Sequence, residues 1–241
     1  MKSRRLLSRD MLKYIAIFAM LLDHIAWYFL EFTSPAAQAF HFIGRLTAPI
    51  MCFFIAQGYI YTKSFKKYAL RLLIFALISQ LPWCFVHGDS ILTLSFNMIF
   101  TLFISLLAVH VEATMKDGIL KLAVIILCVA ATHYCDWHYY AVIWCLIFYR
   151  FRNDSRKMHL CFSLVSLVYF ADTLYNFISA GNAVLLSFIF SLYALGTLLC
   201  IPLLCAYNGE KGKFRASKWV FYVFYPLHLF ILGAIKWWIM K

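Results

Sequence analysis

Charge is scarce in this chain, and acidic charge scarcest. Only 13% of its 241 residues are Asp, Glu, Lys or Arg, and only ten are acidic, whereas a soluble domain carries about 25% charged residues. That excludes an ordinary soluble globular protein. Eight cysteines are present but no CxxC pair, so neither a zinc ribbon nor a thioredoxin-like redox site is indicated, and most of the cysteines read as small packing residues inside apolar runs. Only Cys135, in an expected outer loop, is placed to meet an oxidising compartment. With five prolines and nine glycines, no linker or low-complexity segment stands out. There is no internal repeat, and no connection is long enough for a soluble domain.

What the chain has instead is apolar length: 64% of the residues are hydrophobic. Helix-length apolar runs fall at about 12–32, 40–62, 68–87, 91–112, 118–134, 137–151, 158–179, 183–207 and 216–240. The expected fold is an all-α polytopic transmembrane bundle of about nine spans, one integral membrane domain over residues 1–241. The fifth and sixth runs are short, so eight spans plus a hairpin is the competing count. A net charge of +12 would suggest nucleic acid for a soluble protein. Here 19 of the 22 basic residues alternate onto one side of the runs, so charge records topology and no nucleic-acid partner is expected. By the positive-inside rule that side is cytoplasmic, with the N-terminus inside, in a bacterial inner or plasma membrane.

Any chemistry must then lie inside the bundle. The stretch KYIAIFAMLLDH, Lys13 to His24, carries a surface cation and, about 16 Å along a helix, a buried Asp-His pair on the first span. Ionisable groups at that depth cost at least about 2.5 kcal/mol and usually mark function. His228, ten residues beyond Lys218, falls at nearly the same depth as His24. Arg45 enters the second span from outside, and Asp172 with Asn176 on the seventh span lies in the same outer third. Asp23 is expected to reach His228, Arg45 or another span's polar group rather than His24, because helical neighbours diverge by about 100°. Gln57, Ser95, Asn97 and Thr101 read equally as interhelical glue and as site residues. His41, His87, His133 and His138 fall near the outer surface from three separate loops, without ligand spacing, so no metal is expected.

HFIGRLTAPIMCFFIAQGYIYT (41–62), KYALRLLIFALISQLP (67–82), SFNMIFTL (95–102), KWVFYVFYPLHLFIL (218–232) and MLLDHIAWYF (20–29) resemble the TraX family of integral membrane proteins. The resemblance runs through almost the whole chain and is weakest between about 110 and 215. The family's namesake is associated with acetylation of a conjugative pilin N-terminus, and the family is similar to the type-three membrane acyltransferases. Those enzymes have a basic residue, ten residues, then a catalytic His in the first span, a spacing that Lys13 and His24 match. Gln57 stands before Gly58 where many relatives have an acidic residue, so no carboxylate acts there. The RxxR element of the type-three enzymes is replaced by the looser pair Lys67 and Arg71.

The resemblance implies an acetyltransferase using acetyl-CoA as acyl donor. His24 is the expected base, with Asp23, Arg45 and His228 as further catalytic groups. Lys13, Lys66, Lys67 and Arg71 would attract the donor's phosphates at the inner face, and Asn97, Gln57 and Tyr225 would hold the acceptor. The acceptor would be an amine or hydroxyl of an exported, pilin-like protein or of a surface glycan. Buried Asp and His with an intramembrane Arg also describe a proton-coupled transporter. A non-enzymatic partner of a conjugation or envelope assembly is the third reading.

Overall fold

A computed structural model describes residues 6–90, 93–212 and 217–239, without the side chains of 217 and 218. Lys2, Arg4, Arg5, Lys213 and Arg215, and the side chain of Lys218, all used in the charge argument, lie outside the described residues. Among the described residues the chain is helical, with no named strand. Its helices are α1 (Arg9–Phe29), α2 (Pro35–Gly44), α3 (Thr47–Tyr61), α4 (Phe65–His87), α5 (Met98–Thr114), α6 (Ile119–Ala131), α7 (His138–Arg150), α8 (Ser155–Ser179), α9 (Val184–Ser191), α10 (Cys200–Cys205) and α11 (Ser217–Ile239). A 3₁₀ segment, Leu192–Leu199, joins α9 to α10.

Among the described residues, six segments are long and apolar enough to cross a membrane: α1, α2 with α3, α4, α8, α9 through α10, and α11 from Trp219. The runs expected at 91–112, 118–134 and 137–151 give the shorter α5, α6 and α7. Thirteen residues of α6 or α7 rise only about 20 Å, short of a 30 Å hydrocarbon core. The protein is an α-helical membrane protein.

The chain divides into two compact units, residues 1–50 with 159–221 and residues 51–158 with 222–241. In the first unit, Ser8 caps α1 by accepting from the Met11 amide, and Ser34 caps α2 by accepting from Ala37 N at 3.2 Å, with Pro35 in the first turn. Both are favourable helix starts. Helices α1 and α2 approach over small residues: Ala16, Ala19, Ala26 and Ala37 are all buried, as expected where helices meet without a hydrophobic drive from water. At the basic end, the Leu7 amide donates to Ala206 O and the Arg9 amide to Glu210 O, both at 3.0 Å. The start of α1 and the end of α10 therefore lie together.

In the second unit α5, α6 and α7 alternate in direction. The Lys121 ammonium lies 2.8 Å from both Glu112 and Asp117, and Arg150 lies 2.8 Å from Glu112. The end of α5, the start of α6 and the end of α7 therefore meet. At the opposite end Thr101 donates to Asp136 O at 2.6 Å, and the Phe96 amide donates to Tyr134 O. Cys135, expected in an exposed outer loop, is buried at this junction, and its thiol is free. Close packing of the tight α6–α7 turn against the start of α5 removes it from solvent.

Candidate functional site

The first unit holds a buried ionic cluster built from α1 and the end of α2. His41 and Arg45 are four residues apart, one helical turn, so their side chains leave on the same side. Both end on Asp23 of α1. His41 Nδ1 is 2.8 Å from Oδ1, and an Arg45 terminal nitrogen donates to Oδ2 at 2.5 Å. The other terminal nitrogen of Arg45 donates to the Tyr169 hydroxyl of α8 at 3.1 Å, and the guanidinium carbon lies 5.2 Å from the Tyr193 ring centroid. Asp23, Arg45 and His41 are 8%, 7% and 0% exposed, so the charges are held by one another rather than by water.

Backbone geometry makes this possible. The polypeptide turns at Arg45 and Leu46 between α2 and α3, and just before it Gly44 meets Asp23 so closely that an added Cβ would lie 2.4 Å from Asp23 Cβ. Only glycine permits that approach. Thr47 then donates to Ala16 O at 3.1 Å, tying the start of α3 to α1.

Aromatic rings surround the imidazole of His41. Its centroid lies 4.5 Å from that of Trp27, 5.5 Å from Phe32 and 5.7 Å from Tyr193. Because an ionised carboxylate only accepts, the bond to Asp23 puts the ring proton of neutral His41 on Nδ1. Nε2 is left as an acceptor, and it is buried with no hydrogen-bond partner among the described residues. His41, expected near the outer surface, is fully buried within the first unit. From α8, Tyr169 reaches Arg45, about one turn before Asp172.

His24, next to Asp23, is half-buried, and its ring lies parallel to that of Tyr28 with centroids 5.8 Å apart. Lys13 is half-buried with its ammonium 4.7 Å from the Phe221 ring centroid. The remaining expected site residues lie in the second unit. His228 is buried, donates from Nδ1 to Phe224 O at 2.9 Å and stacks on Phe224. Tyr225 accepts from the Met98 amide at 3.2 Å. Asn97 is the N-cap of α5: its Oδ1 accepts from Ile99 N at 3.0 Å, and its Nδ2 donates to Ala76 O at 2.8 Å and Gln80 Oε1 at 2.9 Å. Gln57 is half-buried on α3. Lys66 and Lys67 are exposed in the first turn of α4, while Arg71 donates to the Tyr222 hydroxyl at 3.2 Å.

A membrane-embedded helical protein with a carboxylate clamped between an arginine and an imidazole is the class that this geometry defines. The family described as TraX protein matches residues 8–236, and the chain belongs to that family. It is also similar to a protein of Dichelobacter nodosus named "Probable fimbrial assembly protein FimC, serogroup H1", 34% identical over 235 residues and covering 93% of this chain and 94% of that protein. No solved structure matches.

Proposed function

We propose that this TraX-family protein is an acetyltransferase of a bacterial inner membrane that acts on exported material. The observation that carries the reading is the Asp23–His41–Arg45 cluster beside His24, which places two imidazoles, a carboxylate and a guanidinium in one membrane-spanning unit. Acyl transfer from a thioester needs such a set: an imidazole to take the acceptor's proton and a positive group for the developing oxyanion. The donor is acetyl-CoA, approaching from the basic, cytoplasmic side, where Lys13, Lys66, Lys67 and Arg71 attract its phosphates.

His24, half-buried and about 16 Å along the helix from Lys13, faces the donor. The acceptor is an amine or hydroxyl arriving from the other side. The similarity to a protein named for fimbrial assembly favours a pilin-like protein over a surface glycan. A proton-coupled transporter would use the same buried charges, but no internal repeat accompanies them in the sequence.

The test is incorporation of labelled acetyl groups from acetyl-CoA into envelope material by membranes containing the wild-type protein or His24→Ala. Label that depends on His24 is the expected result. Equal label with and without the protein, together with no acetyl-CoA binding, would remove the enzyme reading and leave the transporter or assembly partner.

A further inference from the structure

We propose that His41 is the general base that takes the proton from the acceptor, leaving His24 to serve the donor side; this rests on the acetyltransferase reading above. Four observations converge on His41. Its Nδ1 is fixed on Asp23 at 2.8 Å, and Asp23 is itself held by Arg45. That is the order of a base oriented by a third group, here with a guanidinium behind the carboxylate. Its Nε2 is fully buried and has no hydrogen-bond partner among the described residues. Leaving a buried polar atom unpaired costs about 1–3 kcal/mol, and such groups are rare enough that each calls for an explanation.

The third observation is place. His41 lies six residues into α2 from Pro35, about 9 Å from the helix end that follows the acidic loop carrying Glu31. His24 lies five residues before the end of α1 at Phe29, about 8 Å from the same loop, so the two imidazoles share one depth. The fourth is the covering ring. Trp27, one turn beyond Asp23 on α1, is 48% exposed and has its centroid 4.5 Å from that of His41. Of the rings packed on the imidazole, Trp27 is the one that is also exposed, and an acceptor reaching Nε2 would displace a ring of this shell.

The step balances without a further reactant. The acceptor nitrogen or oxygen attacks the thioester carbonyl carbon while its proton passes to His41 Nε2. The new bond to carbon forms, the carbon–sulfur bond breaks, and the thiolate leaves with a proton delivered from His24. The two imidazoles then exchange one proton through the departing products or water. The charged and titratable groups that contact His41 or its partner Arg45 include Asp23 of α1, Tyr193, and Tyr169 behind Arg45.

The experiment compares wild-type, His41→Gln and His24→Gln protein in membranes, with labelled acetyl-CoA and two acceptors: the endogenous envelope material, and hydroxylamine, a nucleophile that needs little base assistance at neutral pH. Acetyl-CoA binding is measured on the same preparations. For His41→Gln we expect transfer to envelope material to fall about 10²–10⁴-fold, acetohydroxamate formation to fall less than about tenfold, and acetyl-CoA binding to be kept. His24→Gln should lose both transfers. Wild-type transfer by His41→Gln would overturn the assignment. So would an equal loss with both acceptors, or a loss of acetyl-CoA binding, because either marks a packing role. Failure of the wild-type protein to acetylate either acceptor would instead sink the acetyltransferase reading, and this assignment with it.

Discussion

His41 presents Nδ1 to Asp23 at 2.8 Å while its own Nε2 faces no described hydrogen-bonding group. One end of the imidazole is therefore committed and the other is left unpaired, inside a ring of Trp27, Phe32 and Tyr193. Substitutions around it separate what this arrangement does for stability from what it does for chemistry.

Removing Arg45 should harm the protein more than removing the whole ion pair. In Arg45→Ala the Asp23 carboxylate keeps only its imidazole partner in a site 8% exposed. Losing one partner of a buried pair typically costs about 3–5 kcal/mol. In Asp23→Ala/Arg45→Ala no charge is stranded, so the double variant should be less destabilised than the sum of the single ones by about 1–3 kcal/mol. Thermal unfolding of the four proteins in detergent checks this, and additive losses would show that Asp23 and Arg45 do not depend on each other.

The Asp23–Arg45 contact was within reach of the sequence, because both charges fall at comparable depth in neighbouring apolar runs and each needs a partner there. His41 was missed for a physical reason. An apolar run beginning near residue 40 puts His41 at its outer end, whereas α2 starts at Pro35, about 9 Å before His41 along the helix. The signal was present: Ser34 followed by Pro35 is a helix start, with a capping hydroxyl and a ring that suits the first turn. Once the helix begins there, the four-residue spacing of His41 and Arg45 puts both on one face. The turn at Arg45 and Leu46, the 3₁₀ segment Leu192–Leu199 and the burial of Cys135 depend on tertiary packing, which no local pattern announces.

Asn97 tests glue against site. Its amide closes three contacts at the α4–α5 junction, so Asn97→Ala should lower stability by about 1–2 kcal/mol through loss of the cap. Asn97→Ser, which keeps an accepting oxygen for the Ile99 amide, should recover part of that loss. If Asn97 also binds the acceptor, the serine variant will show a raised KM for acceptor despite its recovered melting temperature. An unchanged KM restricts Asn97 to capping.

The exposed pair Lys66 and Lys67 should act on the donor through charge alone. Lys66→Gln/Lys67→Gln is expected to raise the KM for acetyl-CoA by about two- to fivefold at low salt, in line with the modest strength of exposed ion pairs. The difference should shrink in high salt, where the Debye length falls to about 3 Å. The kcat should not move, and neither should the melting temperature. A fall in kcat at saturating acetyl-CoA would show instead that the pair bears on the chemical step.

Gly44→Ala asks whether the distance between α1 and α2 sets the geometry of the cluster. The new methyl would lie 2.4 Å from Asp23 Cβ and 2.6 Å from its Cγ, closer than non-bonded carbons tolerate. The two helices must separate or Asp23 must change rotamer, and overpacking of this kind costs about 1–3 kcal/mol. Asp23 is the atom group displaced in either response, so the contact to His41 Nδ1 should lengthen beyond hydrogen-bonding range and the imidazole should lose its fixed tautomer. The expected outcome is a lower melting temperature together with a loss of acetyl transfer larger than the fraction of protein unfolded. Gly118→Ala, where a Cβ meets nothing within 4 Å, is the matched control and should change neither. Wild-type transfer by a destabilised but folded Gly44→Ala protein would mean that the Asp23–His41 contact is needed for packing only.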